Sequence, residues 1–336
     1  MRSPHVKARR LCNPVICLAL LICVFSPDGA RIWAQSTPHR ESVRAIAQQK
    51  SQPEATLKLR AQTTLVLIPV SVTDASNRFV LGLERQDFHV FENGTEQKVT
   101  QFSGEDAPLS VGLLVDTSGS MGEKIDISRR AVAQFLKTMN PEDEAFLIEF
   151  SDRAELAVTF TGQIDEILGK LSSVESQGLT ALLDAVHLGL SEMKKAKNPR
   201  KALLIISDGG DNNSRYSAAE IKDLVREADV QIYAMGVFEP FPVFALSAAE
   251  LSGPRLLSQL SEQTGGRAFA ATRPSDLPGI ATRIGIELRN QYVLAYPPSN
   301  QEHDGKYRKV EVKLKQPQGL PPLKARWRLG YYAPTQ

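Results

Sequence analysis

Asp116-Thr117-Ser118-Gly119-Ser120-Met121 sets one carboxylate and two hydroxyls at alternate positions of a glycine-containing turn. Alternation puts Asp116, Ser118 and Ser120 on one side of that turn, and Gly119 lets it bend closely. Ser207-Asp208-Gly209-Gly210-Asp211 supplies a second carboxylate, and Gly178-Leu179-Thr180 a third hydroxyl. Together Asp116, Ser118, Ser120, Thr180 and Asp208 make an all-oxygen set. Hard oxygen donors suit Mg²⁺, Mn²⁺ or Ca²⁺ rather than Zn²⁺ or Cu²⁺. Small side chains and few charges favour a compact octahedral site that retains waters, so Mg²⁺ comes first. Such a site keeps a coordination position open, which a carboxylate from a partner protein can fill.

The elements around these residues explain how they could meet. Leu109–Val115 and Ala202–Ile206 are apolar runs that end at Asp116 and just before Asp208. Between and after them strands alternate with helices: a helix over Ile125–Met139, strands Ala145–Phe150 and Glu155–Phe160 forming a hairpin, and helices Ile164–Leu171 and Leu179–Met193. Helix Ala218–Ala228, strand Val230–Val237, helix Pro254–Thr264, strand Arg267–Ala270 and helix Asp276–Arg289 follow. This alternation predicts an α/β fold, a doubly wound and mostly parallel sheet covered on both faces. With strand order 3-2-1-4-5-6, the first and fourth strands are neighbours at the crevice where ligands bind. Those two strands carry Asp116 and Asp208.

The flanks read differently. Thr63–Thr73, Phe88–Phe91 and Val99–Phe102 are strand-like, with Asn93-Gly94 a hairpin turn. After Asn290, Tyr292–Tyr296, Tyr307–Leu314 and Leu323–Tyr332 read as three more strands, broken by Pro297-Pro298 and Pro321-Pro322. Their matching β character is the basis for expecting the flanks to pair into one small β domain. The aromatic content of the last strands, Trp327 included, reads as sheet packing.

The chain opens with Arg2, Lys7, Arg9 and Arg10, then an apolar run over Pro14–Phe25 and a small residue at Ala34. That is the pattern of a secretory signal peptide. The run is short of the roughly 20 residues that a permanent anchor needs. Neither Cys17 nor Cys23 follows the small residue of a lipoprotein signal. The expected organisation is therefore a signal peptide over 1–34, a polar linker over 35–56, an N-terminal β segment over 57–106, the metal-binding domain over 107–290 and a C-terminal β segment over 291–336. A protein exported in this way is secreted or periplasmic. All three cysteines, Cys12, Cys17 and Cys23, lie in the leader, so the exported part has no disulfide or thiol chemistry. The whole chain is at +2. The leader carries five Arg or Lys against one Asp, which leaves the rest weakly acidic at −2. That balance gives no support for nucleic-acid binding.

Asp116-x-Ser118-x-Ser120 with Thr180 and Asp208 resembles the metal-ion-dependent adhesion site of von Willebrand factor type A domains, over roughly residues 109–290. The flanks, through Val72-Thr73-Asp74, Leu83–Phe88 and the ending Gly330-Tyr331-Tyr332-Ala333-Pro334, are similar to secreted bacterial proteins of the acidobacterial VWFA-related type. The resemblance implies Ser118, Ser120 and Thr180 as direct or near-direct metal ligands, and Asp116 and Asp208 as ligands directly or through water. It implies an adhesion or interaction module rather than an enzyme.

Two other readings stay open. In a scaffold without functional metal, Asp116 and Ser118 merely cap the following helix. A hydrolase needs a base near Ser118 or Ser120; of the histidines beyond the leader, His187 is the one in the helix after Thr180, and it reads as a boundary residue. No Gly-x-x-x-x-Gly-Lys-Ser/Thr phosphate loop is present. Asp211, Asn212 and Asn213 could extend the metal loop, set against a reading as caps or turns, and Asp143 and Asp152 read as ordinary loop residues. Phe238–Leu246, with Phe241 and Phe244, follows the fifth strand and is a candidate apolar wall beside the metal, set against a reading as core.

Overall fold

β-Branched residues open the structure, a computed structural model that describes residues 65–237, 248–271, 273–315 and 322–335. Four strands come first: β1 (Val66–Thr73), β2 (Phe88–Glu92), β3 (Thr95–Gln97) and β4 (Gln101–Ser103). β2 and β3 form the expected hairpin. Asn93 (φ 47°) and Gly94 (φ 85°) take the two left-handed positions of its two-residue turn, which Asn-Gly adopts at low cost.

The α/β region follows: β5 (Leu109–Asp116), α1 (Ile125–Leu136), β6 (Glu144–Phe150), β7 (Ala154–Thr161), α2 (Ile164–Ser172), α3 (Leu182–Met193), β8 (Arg200–Ser207), α4 (Ala218–Glu227), β9 (Gln231–Val237), α5 (Ala248–Gln263), β10 (Ala268–Ala271) and α6 (Leu277–Arg289). Its sheet runs β7-β6-β5-β8-β9-β10 and is parallel except where β7 returns antiparallel to β6. Counted from β5, that is the expected order 3-2-1-4-5-6. Side chains alternate across the sheet. Val111, Leu113 and Val115 share a cluster with Phe135 of α1 and Ile284 of α6. Leu114, Leu203 and Ile205 pack with Val186 of α3, Ile221 of α4 and Leu257 of α5. β5 is buried along its whole length, as a strand covered on both faces must be.

The flanks close on each other through β11 (Gln291–Tyr296), β12 (Tyr307–Leu314), β13 (Lys324–Trp327) and β14 (Gly330–Tyr332). Two antiparallel sheets result, β13-β1-β11-β4 and β14-β12-β2-β3. They share one apolar cluster that includes Ile68, Val70, Phe88, Val90, Leu294, Tyr296 and Val312. Phe102 and Tyr292 stack within it at a centroid distance of 5.7 Å, and Phe88 lies tilted against both at 5.6 and 5.1 Å. Trp327 packs on this cluster and its Nε1 donates to the Val310 carbonyl at 3.0 Å, the structural role expected of it.

Several elements differ from the sequence reading. The expected strand Leu323–Tyr332 is two strands in different sheets. β13 pairs with β1 and β14 with β12. The chain turns between them because Arg328 is drawn to Asp229 (3.0 Å) and to the Arg226 carbonyl (3.1 Å), while Leu329 N–H donates to the Gln263 carbonyl. The expected helix Leu179–Met193 begins only at Leu182, because the Leu183 and Asp184 N–H groups donate to Ser214 Oγ at 3.0 and 3.1 Å instead of to carbonyls a turn earlier. α5 begins at Ala248, before Pro254, which sits inside it. Asp143 is no ordinary loop residue. It is 3% exposed, accepts from the N–H groups of Leu109 (2.8 Å) and Asn140 (2.6 Å), and pairs with Arg289.

Candidate functional site

β5 and β8 are neighbours in register, with Val115 opposite Ile206. Asp116 and Ser207 therefore end their strands side by side. Ser207 Oγ donates to Asp116 Oδ2 at 2.6 Å, and the Ser118 N–H donates to Oδ1 at 2.9 Å. Asp116 is fully buried. Burial pushes its carboxyl up to about 6; the nearby Asp208 charge adds to the rise, and the bonds from Ser118 and Ser207 oppose it.

The turn after β5 is fixed by backbone. Thr117 donates twice to the Phe150 carbonyl, through N–H at 2.8 Å and Oγ1 at 3.1 Å. Ser118 Oγ and Ser120 Oγ lie 3.1 Å apart, with Ser118 buried and Ser120 exposed. The hydroxyl pair thus leads from the buried carboxylate to the surface.

Asp208 is 6% exposed. Its Oδ1 accepts from the Gly210 N–H at 3.2 Å, and its Oδ2 lies 3.9 Å from Lys124 Nζ. Gly209 (φ 80°) follows, and a Cβ there would stand 2.7–2.8 Å from the backbone of Gly253. Two glycines let α5 lie directly on the loop that carries Asp208.

Thr180 is brought to this loop cluster by main-chain bonds. Gly119 N–H donates to the Gly178 carbonyl (3.0 Å) and Gln177 N–H to the Thr117 carbonyl (2.9 Å). On its other side, the Thr180 N–H donates to Asn212 Oδ1 at 2.8 Å, and its carbonyl accepts from the Asn212 and Asn213 N–H groups at 3.0 and 3.1 Å. Four of the five residues, Asp116, Ser118, Thr180 and Asp208, are buried, and only Ser120 is exposed.

Other residues singled out in the sequence have definite places. Asp211 Oδ1 accepts from Ser214 Oγ (2.6 Å), whose oxygen caps α3. Asn213 Nδ2 donates to the Asp152 carbonyl, and Asp152 Oδ1 accepts the Leu179 N–H at 2.7 Å. These residues hold the loops together. His187 stacks on Tyr216 with centroids 4.1 Å apart. Phe238–Leu246 lies outside the described residues, as do 1–34 and 35–56.

Sequence reasoning missed Ser207 and Lys124 as parts of the cluster, while Asn212, read as a cap or turn, holds the Thr180 N–H. Ser207 had a signal, a hydroxyl one residue before Asp208 on a strand neighbouring that of Asp116. Lys124 had none, since only the fold carries it back over Asp208.

Among the described residues no three His, Cys, Asp or Glu side chains gather as a metal cluster. Any cation here would need the hydroxyls as well as the two carboxylates. That donor chemistry fits a hard divalent ion. So does a buried carboxylate with a raised pKa held beside a second one, because a cation relieves both the burial and the repulsion.

Residues 111–210 match the family model of the von Willebrand factor type A domain. The mouse inter alpha-trypsin inhibitor heavy chain 4 is 25% identical over 236 residues, covering 63% of this chain and 25% of that protein. This chain thus spans about a quarter of that relative's length. Among solved structures, a von Willebrand factor type A protein from Catenulispora acidiphila aligns at 11% identity and TM-score 0.48, over 82% of this chain and 74% of that one. Proximal thread matrix protein 1 of the mussel byssus, solved with zinc in its MIDAS motif, aligns at 17% identity and TM-score 0.46, over 59% and 49%. The family match runs from within β5 to the loop after β8 and spans Asp116, Ser118, Ser120, Thr180 and Asp208, so it is residues 111–210 of this chain that are similar to a von Willebrand factor type A domain.

Proposed function

We propose that Asp116, Ser118, Ser120, Thr180 and Asp208 hold a divalent cation, Mg²⁺ first with Mn²⁺ or Ca²⁺ as alternatives, and that the protein is an exported, metal-dependent protein-binding module. A von Willebrand factor type A domain supports a protein-interaction role. The observation that carries the metal reading is the buried Asp116 carboxylate, set beside Asp208 and continued to the surface by the Ser118–Ser120 hydroxyl pair. A bound cation would supply Lewis acidity toward an acidic side chain of the partner. The protein's own part is to hold Asp116 through Ser207 and the Ser118 N–H, and to set the approach at exposed Ser120.

The direct test is calorimetric titration with Mg²⁺ and Mn²⁺, followed by capture of protein partners with and without chelator. Saturable metal binding and chelator-sensitive capture support the reading. Absence of metal binding leaves a scaffold that keeps the fold alone. Among the described residues no helix is long and apolar enough to cross a membrane. Export rests on the leader over 1–34, and the mass of the protein recovered outside the cytoplasm checks cleavage after Ala34.

The raised pKa of Asp116 sets a pH dependence. A cation needs the carboxylate, so below about pH 6 it must displace a proton. Mg²⁺ affinity is expected to level off above that value and to fall by about tenfold per pH unit below it. A titration series from pH 5 to 8 checks this, and a flat profile removes Asp116 as the controlling group.

Lys124 adds a second expectation. The residue is 7% exposed, and its ammonium lies 3.9 Å from Asp208 Oδ2, so it partly neutralises the carboxylate a metal would use. Lys124→Met is expected to raise Mg²⁺ affinity about tenfold, the scale of one like charge a few ångströms away at intermediate dielectric. Equal or weaker binding in the variant contradicts a competing role for Lys124.

A further inference from the structure

A cavity of about 450 Å³ lies away from the loop cluster of Asp116 and Asp208, between the end of α5, the start of β10 and β13. Arg267, Arg326, Trp327, Leu329 and Glu262 line it. None of these belongs to the proposed metal site.

One of its guanidiniums lacks a partner for a buried nitrogen. Arg326 stands opposite Ser71 on β1, between neighbours paired with Val70 and Val72. Those valines enter the apolar cluster between the two antiparallel sheets, so Arg326 projects from the other face of its sheet. Its Nη1 is buried and has no hydrogen-bond partner. Burial first, and then the Arg267 guanidinium, lower its pKa; Glu287 and Tyr233 pull the other way and Arg283 adds to the lowering. Glu287 is the nearby carboxylate, and it is already engaged. It is fully buried, accepts the Tyr233 hydroxyl at 3.3 Å and pairs with Arg267 at 3.4 Å. Arg267 lies over the Phe269 ring at 4.5 Å. Glu287 is thus taken up by Arg267, and the Nη1 of Arg326 is left without a bond on the cavity wall. An unpaired buried charged donor is costly until something bonds to it.

We propose that this cavity binds a small organic monocarboxylate, with its carboxylate on Arg326 and Arg267 and its apolar body against Leu329. A planar carboxylate matches the guanidinium fork. A single carboxylate suffices for the unbonded Arg326 donor, whereas Glu262, lining the same cavity, opposes a dianion. Leu329 supplies apolar contact that a free inorganic anion would not use.

The chain has two tryptophans, Trp33 and Trp327. In full-length Trp33→Phe protein, Trp327 is the only indole and reports on the cavity it lines. Benzoate and inorganic phosphate are titrated at fixed ionic strength. The expected result is a saturable fluorescence change with benzoate at a lower midpoint than with phosphate. Arg326→Gln in the same background should raise the benzoate midpoint at least tenfold, and Arg326→Lys, which keeps the charge without the fork, by an intermediate factor. Without ligand, Arg326→Gln should melt at or above the parent temperature, since it removes a guanidinium with a buried, unbonded nitrogen. A guanidinium serving only to hold the fold would instead melt lower on replacement, and that outcome overturns the proposal. So does a benzoate response that never saturates, a midpoint unchanged in Arg326→Gln, or phosphate binding more tightly than benzoate.

Discussion

Asp116→Asn protein is expected to lose Mg²⁺ binding by two orders of magnitude or more, yet to be at least as stable as the parent without metal. The two effects have one cause. Asp116 is fully buried, and burial together with Asp208 raises its pKa from 3.8 to about 6. A carboxyl whose folded pKa is raised holds its proton more tightly in the native state than in the unfolded chain. Its contribution to stability is fully present below the unfolded value and is lost as pH rises through about 6. At pH 7 the ionised group therefore costs stability, on the order of 1–3 kcal/mol. Asparagine keeps the shape, still accepts the Ser118 N–H and can donate to Ser207 Oγ, but carries no charge to desolvate. It also offers a cation only a neutral oxygen in place of one of two carboxylates. Calorimetry at pH 7 reads the binding and a chelator-treated thermal melt reads the stability. Retained binding in a folded Asp116→Asn protein removes the metal proposal. A melt that falls sharply shows instead that the Asp116–Ser207 bond is chiefly structural.

The residues of the proposed metal site and the groups around them were not equally legible in the sequence. Asp116, Ser118 and Ser120 stand within five residues, and a local turn fixes which side they share. Asp208 required only that two apolar runs be neighbouring parallel strands, which alternation of strands and helices implies. Everything that sets the energetics is longer in range. Ser207 reaches Asp116 across the sheet, Asn212 ties Thr180 to the Asp208 loop, and Lys124 folds back from the turn after β5. The fold shows the same division. The central strands announce themselves by being apolar throughout, and Asn93-Gly94 by its turn chemistry. The start of α3 is decided by Ser214, thirty-one residues after Leu183. The split between β13 and β14 is decided by Asp229 and Gln263, which belong to the α/β region. Asp143 resembles any loop aspartate until Arg289 arrives from α6. Periodicity describes how one segment meets a core, but a polar side chain's partner is set by topology.

Gly266→Ala is expected to destabilise the protein by about 3 kcal/mol or more, well beyond Gly112→Ala and opposite in sign to Gly279→Ala. A Cβ at Gly266 would stand 2.0 Å from the Ile232 carbonyl oxygen and 2.7 Å from its carbon. That neighbour is the backbone of β9, an interior strand of the central sheet, and cannot rotate away. The crossing is also pinned from both sides. Ile232 N–H donates to Thr264 Oγ1 at 2.8 Å, Gly266 N–H to the Ser261 carbonyl at 3.1 Å, and Ala234 N–H to the Arg267 carbonyl at 2.9 Å. Making room means breaking some of these bonds and shifting β10 in its register against β9. Gly112→Ala is a milder case, although its Cβ would meet Phe146 at 2.2 Å and Leu203 at 2.5 Å. Those contacts are the ends of side chains, which can turn at the cost of poorer packing. Gly279→Ala, in α6 with no atom within 4 Å, should instead gain about 0.5–1 kcal/mol from helix propensity. At about 2–4 °C per kcal/mol for a domain of this size, thermal melts should separate the three clearly, with Gly279→Ala above the parent and Gly266→Ala lowest. If Gly266→Ala melts no lower than Gly112→Ala, the backbone at the α5–β10 crossing is free to yield. Arg267, the next residue, would then not be rigidly placed on the cavity wall, and the monocarboxylate assignment would lose one of its two fixed guanidiniums.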